Sequence, residues 1–94
     1  MRVLVAPDSF GASLTAREAA QAIATGWART APDDELHLAP MSDGGPGFID
    51  ALEAGRAGLD SVPVSVLDPL GRVVAARVLR DGAVAYVESA QACG

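Results

Sequence analysis

The first sixty residues switch between short apolar runs and a longer segment with helical periodicity. Residues 2–6 form a β-branched run that ends at Pro7, which predicts a short buried strand. Thr15 and Glu18 have the spacing of a capping box, so a helix is predicted over residues 16–30. Its apolar positions recur every three or four residues and form one stripe. These positions are Ala16, Ala19, Ala20, Ile23, Ala24 and Trp27.

A second strand and a second helix follow in the same order. Residues 35–41 are predicted to be a strand, and residues 47–54 a short helix with Pro46 at its first position and Gly55 as its stop. Strand, helix, strand, helix is the order in which parallel strands lie side by side with helices on their faces. The pattern therefore predicts an α/β fold that starts as a Rossmann-like parallel sheet.

The pattern changes near residue 60. Three strand-like runs follow, at residues 61–67, 73–80 and 83–89. A Pro-containing turn joins the first two, and Asp81-Gly82 predicts a type I′ hairpin between the last two. We therefore expect a partial Rossmann-like domain over residues 1–60, and an antiparallel meander that begins an inserted second domain over residues 61–94. A sheet that starts in this way needs more strands to cover its edge, so the chain is expected to be the front of a longer protein.

Composition narrows the class of protein. The 94 residues are 50% hydrophobic with only four aromatic side chains, which predicts a core of small aliphatic residues. A net charge of −5, with seven arginines and no lysine, argues against nucleic acid as a partner. The single cysteine, Cys93, allows no internal disulfide. No apolar run reaches the length of a membrane span or of a signal-peptide core, so a cytoplasmic protein without a membrane partner is expected.

The candidate chemistry lies in the two loops that follow the parallel strands, because ligands of open α/β sheets bind outside the carboxyl ends of the strands. Asp8 stands in the first loop, and Asp43 stands in the second loop before Gly44 and Gly45. If the two strands are neighbours, both carboxylates face one crevice. The glycines let the backbone approach a ligand closely.

The second loop also precedes a helix N-terminus, which favours a phosphate or a carboxylate. Asp43 could cap this helix, hold a metal ion or bind a substrate hydroxyl, and the same residues could form an ordinary turn. The loop is not a Walker A motif, since it lacks the Gly-Lys-Ser/Thr ending. His37 has no second ligand at metal spacing, and no metal-ligating residue is predicted. Glu88 closes an apolar run and is either functional or solvent-facing.

Four stretches in register resemble glycerate kinases of the bacterial type. They are VLVAPDSF with the step into an Ala-rich helix, APMSDGGPGFIDAL, DPLGR before the hairpin, and YVESAQACG. The resemblance covers essentially the whole chain in order, which makes it specific. It implies a two-domain α/β protein several times longer than this chain, in which the second domain interrupts the first.

The resemblance also implies an activity: phosphorylation of D-glycerate, a small-molecule substrate, by ATP with Mg²⁺. On the matching positions it implies that Asp8 and Asp43 are catalytic polar groups of the glycerate and phosphate cleft. The residues implied to bind substrate or phosphate are Ser9, Phe10, Ser42, Gly44, Gly45 and Glu88.

Two departures from the family leave more than one interpretation open. The family's first loop usually carries a lysine beside the phenylalanine, where this chain has Ser9 and Gly11, and Ala12 replaces a common glycine. A further Gly-rich segment of the family would lie beyond residue 94. The chain is thus interpreted as the N-terminal portion of a glycerate kinase that is inactive alone. Whether the chain itself is an enzyme stays open. The alternatives are a non-catalytic binding or assembly module that self-associates through its exposed sheet edge, or a different α/β protein that binds phosphate or a sugar acid.

Overall fold

A computed structural model describes residues 1–93 of the chain. Its elements, in chain order, are β1 (Arg2–Val5), α1 (Ala16–Thr30), β2 (Glu35–Leu38), α2 (Phe48–Gly55), β3 (Asp60–Leu67), β4 (Val73–Asp81), β5 (Val84–Tyr86) and α3 (Ala90–Cys93). The strands form a parallel two-stranded sheet, β1-β2, and an antiparallel three-stranded sheet, β3-β4-β5. The predicted α/β class, with a parallel start followed by a meander, is confirmed.

Helix α1 begins and ends where its sequence predicts. The Glu18 N–H donates to the Thr15 hydroxyl at 3.1 Å, and the Thr15 N–H donates to the Glu18 carboxylate at 2.8 Å, so the capping box is complete. Its buried positions are Ala16, Ala19 and Ala20. The apolar stripe is correct only in this first half, because Ile23 is 42% exposed and Trp27 is 40% exposed.

The pairing of β1 with β2 places the two predicted strands side by side. Val3 is opposite Leu36 and Val5 is opposite Leu38, and these half-buried or buried residues share one face of the sheet. Leu4 points to the other face and is 69% exposed. Strand β2 ends at Leu38, three residues before the predicted bound.

Helix α2 starts one residue later than predicted. Gly47 is its N-cap with a φ of 95°, a left-handed conformation that suits glycine. The placement of Pro46 at the first helical position is therefore wrong, because Pro46 lies before the cap. Gly55 is the last residue of the helix rather than the residue that stops it. Ile49 is fully buried on its inner face.

The meander has the predicted antiparallel pairing but a different hairpin turn. Asp81 pairs with Val84, so the central residues of the turn are Gly82 and Ala83. A type I′ turn needs a positive φ at both central residues, whereas within residues 1–93 only glycines have one, with Gly82 at 58°. The type I′ prediction is therefore wrong. Strand β5 is also shorter than residues 83–89, because the chain leaves the ladder after Tyr86.

Side chains of α2 and of the residue that follows it contact the antiparallel sheet. Arg77 on β4 donates to Glu53 at 2.8 Å, and Arg56 donates to the Tyr86 hydroxyl at 2.9 Å. Arg56 also forms an ion pair with Asp81. Whether residues 61–94 begin a separate domain stays a prediction.

The buried core consists of small aliphatic side chains, as the composition predicts: Val5, Ala16, Ala19, Ala20, Ile49, Ala51 and Leu79. Of the helices that the structure describes, none has the length and apolar character needed to cross a membrane.

Candidate functional site

The loops that follow β1 and β2 run side by side. The Ala39 N–H donates to the Val5 carbonyl at 2.8 Å, and the Met41 N–H donates to the Pro7 carbonyl at 2.9 Å. These bonds extend the parallel pairing beyond the strands themselves. Asp8 follows Pro7 directly, and Asp43 lies two residues after Met41. Both loops therefore leave the carboxyl edge of the same sheet, where α/β proteins bind ligands.

The first loop exposes its polar and aromatic side chains. One oxygen of the Asp8 carboxylate accepts the Ser9 N–H at 2.6 Å, and its other oxygen has no partner among residues 1–93. Phe10 is 60% exposed, although its backbone is fixed by a 3.0 Å bond from its N–H to the Leu14 carbonyl. Gly11 has a φ of 54°, and a Cβ there would meet nothing within 4 Å.

The second loop is held by two short-range turns. The Gly44 N–H donates to the Ser42 hydroxyl at 3.1 Å, and the Gly45 N–H donates to one oxygen of Asp43 at 2.9 Å. These are the local bonds by which serine and aspartate stabilise turns. Asp43 is exposed and does not cap α2, so the capping role considered for it is wrong. Its second oxygen points to no donor within the described part of the chain.

Glu88 reaches the start of α2 from the far end of the meander. Its side chain is 8% exposed, and its two oxygens accept the N–H groups of Gly47 at 2.9 Å and of Ile49 at 3.0 Å. A carboxylate is the favoured partner of a helix N-terminus. Of the two alternatives left open for Glu88, the solvent-facing one is therefore wrong. A phosphate or carboxylate ligand was expected at this helix N-terminus. The Gly47 and Ile49 N–H groups instead donate to a carboxylate of the chain itself.

Two cavities lie near the loops. One, of about 350 Å³, opens between the second loop and α2 and includes Met41, Ser42, Phe48 and Arg56 in its lining. The other, of about 450 Å³, lies between α1 and α2. Neither of these two cavities includes Asp8 or Asp43 in its lining, so a shared crevice for the two carboxylates stays a prediction.

Charged side chains around α2 form contacts that the sequence does not predict. Arg17 on α1 donates to Asp50 at 2.7 Å and joins the two helices. Arg56 supplies the cation beside the Ser42 cavity, but its guanidinium is already engaged by the hairpin. No group of three histidine, cysteine or acidic side chains within residues 1–93 could hold a metal ion. Helical periodicity can indicate which face of a helix carries a charged residue, but it cannot indicate which residue of another element that side chain contacts.

The structure is that of an α/β protein with a candidate site for a small polar ligand. The site combines parallel strands, acidic side chains on both loops at their carboxyl ends, and a Gly-Gly turn before a helix. Comparison with known proteins then identifies the family. A family model described as the glycerate kinase family matches residues 3–94. The chain belongs to the glycerate kinase family.

Individual relatives agree with this assignment. The chain is 38% identical to the glycerate 2-kinase of Escherichia coli K12, with 100% of this chain and 25% of the relative covered. It is 54% identical to an uncharacterized protein of Mycobacterium bovis over the same shares. A crystal structure assigned as glycerate kinase 2 from Salmonella typhimurium LT2 superposes with a TM-score of 0.70 at 38% identity, covering 87% of this chain and 22% of that one. The chain spans about a quarter of the length of the curated relatives it matches.

Proposed function

We propose that the complete protein containing this chain phosphorylates D-glycerate to a phosphoglycerate with ATP, and that these residues form one wall of its cleft. The single observation that supports this most is the hydrogen bond from the Met41 N–H to the Pro7 carbonyl. It brings the two family loops together at the carboxyl edge of one sheet. An ATP-dependent kinase works where cells keep ATP, so a cytoplasmic location belongs to the same proposal.

In this proposal Asp8 and Asp43 act on the glycerate. Each carboxylate has one oxygen committed to a local turn and another that faces no donor among residues 1–93. A free carboxylate oxygen can accept a hydrogen bond from the glycerate hydroxyl and take its proton as it attacks phosphorus. Ser9, Phe10 and Ser42 would line the same surface, and the Gly44-Gly45 backbone would lie against the ligand.

The exposed carboxylates also fit the expected cofactors. ATP with Mg²⁺ supplies the transferred phosphoryl group and neutralises part of its charge. Mg²⁺ that arrives on phosphates needs only one or two protein carboxylates, which Asp8 or Asp43 can offer. The two loops contain no arginine or lysine. Cations that stabilise the transferred group would therefore come from other parts of the complete protein, and we expect these 94 residues alone to be inactive.

The test is ADP release from Mg-ATP and D-glycerate, measured on the complete open reading frame that contains this chain. Asp43→Asn should lower kcat by about 100-fold or more, the usual contribution of a general base. Asp60→Asn is the matched control, since the Asp60 side chain is 70% exposed at the start of β3 and has only a 3.8 Å pairing with Arg80. Glycerate-dependent turnover that Asp43→Asn leaves unchanged would contradict the assigned role. Turnover by the 94-residue chain would contradict its inactivity.

A second candidate function is a non-catalytic assembly module. One observation favours it: the β1-β2 sheet is open. Leu4 is 69% exposed on one face of this sheet, and within residues 1–93 β1 pairs only with β2, which leaves its other edge unpaired. An open edge of this kind can pair with another chain. Sedimentation of the 94-residue chain with and without Leu4→Arg would separate the two candidates, because only an assembly module should lose a defined dimer.

A further inference from the structure

Glu88 is the one buried charged side chain among residues 1–93. It lies after the meander, 41 positions from Gly47 and 39 from Ile49, and yet it binds the N–H groups of both. A buried carboxylate is stable only when its hydrogen-bonding capacity is met. Here it is met entirely by the first turn of α2.

These bonds determine where the second loop ends. Gly47 has a left-handed φ of 95° and immediately follows the Gly44-Gly45-Pro46 turn. The Phe48 N–H donates to the Gly45 carbonyl at 3.1 Å, so the glycine pair is tied to the same helical turn that Glu88 holds. On its other side, the loop is stabilised by the local bonds of Ser42 and Asp43. A glycine-rich segment has high conformational freedom, which makes this distant contact its main long-range restraint.

The same contacts argue against a direct role for Glu88 in ligand binding. Both carboxylate oxygens face backbone N–H groups, and the side chain is 8% exposed. We propose that Glu88 is a positioning residue: it fixes the start of α2 and thereby places Asp43 and the Gly44-Gly45 backbone for phosphoryl transfer. This inference rests on the proposed kinase function of the loop.

Three substitutions at Glu88 in the complete protein test the proposal. Glu88→Gln keeps the shape but offers one acceptor oxygen to two N–H donors. Glu88→Asp keeps the charge but is shorter. Glu88→Ala leaves a space at a helix N-terminus into which acetate can bind, since such a position favours a small anion. The matched control is Glu53→Gln, which removes an ion pair of α2 with Arg77 but leaves the first turn of the helix intact.

We expect Glu88→Gln to lower kcat by about 100-fold, the cost of misplacing catalytic groups by about 1 Å, with a KM for D-glycerate within about 3-fold of the parent. Glu88→Asp should retain more activity than Glu88→Gln. Acetate should restore part of the kcat of Glu88→Ala and none of the loss in Asp43→Asn. A large rise in KM with unchanged kcat would overturn the positioning role, as would a failure of acetate to act on a folded Glu88→Ala protein.

Hydrogen exchange of the segment 41–52, measured without substrate, separates this inference from the proposed function. Faster exchange over Gly44–Ile49 in Glu88→Gln, but not in Glu53→Gln, is expected whichever reaction the protein catalyses. Unchanged exchange in Glu88→Gln would overturn the inference even in an active kinase. If the parent protein releases no ADP with D-glycerate, the proposed function fails, while the exchange result still decides whether Glu88 fixes the loop.

Discussion

The fully buried Ile49 offers the sharpest test of the packing beneath the candidate site. Its exposed fraction is 0%, and its backbone N–H on α2 is one of the two donors to Glu88. Ile23, on α1, is 42% exposed. The substitutions Ile49→Ala and Ile23→Ala remove the same atoms from two helices, so burial is the principal difference between them.

The expected magnitudes follow from that burial. Ile49→Ala removes a methylene and two methyl groups from the core, at about 0.8 kcal/mol for each buried carbon, and the cavity left behind raises the loss to about 3–4 kcal/mol. Ile23→Ala loses roughly half of this transfer energy, leaves no closed cavity, and gains a few tenths of a kcal/mol in helix propensity, for a net loss of about 1 kcal/mol.

Urea unfolding of the 94-residue chain, followed by far-ultraviolet circular dichroism and Trp27 fluorescence, measures the difference. With a slope of roughly 1 kcal/mol per molar urea, the midpoint of Ile49→Ala should lie about 2–3 M below that of Ile23→Ala. Coincident transitions by the two probes are required for the free-energy comparison. Hydrogen exchange over α2 gives the same ranking without a two-state assumption.

Equal losses in the two variants would refute this reasoning. Such a result would mean that Ile49 does not sit in a closed core, and that α2 is held mainly by its polar contacts. Helix α2 would then not be a fixed support for the second loop.

Two further predictions concern the polar contacts of the fold. Thr15→Ala should destabilise the chain by about 1 kcal/mol through loss of the N-cap of α1. Thr25→Ala, in the exposed middle of the same helix, should be neutral or slightly stabilising. Urea midpoints that do not separate the two variants would contradict a capping role for Thr15. The Arg72 backbone N–H holds the pKa of Asp68 below its usual value of 3.8. Because the folded state favours the ionised carboxylate, its stabilisation is full above pH 3.8 and is lost as the pH falls through the lower folded pKa. The midpoint of Asp68→Asn should therefore fall less than that of the parent between about pH 5 and about pH 2, and parallel profiles would contradict this assignment.

Local signals in the sequence predicted most of the secondary structure. The bounds of α1 follow from a capping box and a helical period, because both act within a few residues of the chain. The alternation of strands and helices was likewise enough to predict parallel pairing of β1 with β2. The hairpin turn was mispredicted by one residue, since the register of β4 and β5 is set by how both strands pair rather than by the Asp81-Gly82 dipeptide.

The candidate site divides in the same way. Its two acidic residues, Asp8 and Asp43, were predictable because loops at the carboxyl ends of parallel strands converge at one edge of the sheet. Their roles in catalysis stay predictions. Glu88 was assigned from resemblance to a ligand-binding position, and no local pattern could reveal that its carboxylate ends at α2.

The sequence by itself thus determined the element order, the cap of α1, the loops that carry the acidic groups and the membership of a kinase family. Only the tertiary structure decided which donors remain open to a ligand. The N-terminus of α2 is a good anion site in any isolated helix, but a carboxylate some forty residues away already binds its Gly47 and Ile49 N–H groups. Such a contact depends on how the meander folds back against α2, and chain-distant packing of this kind leaves no periodic trace in the sequence.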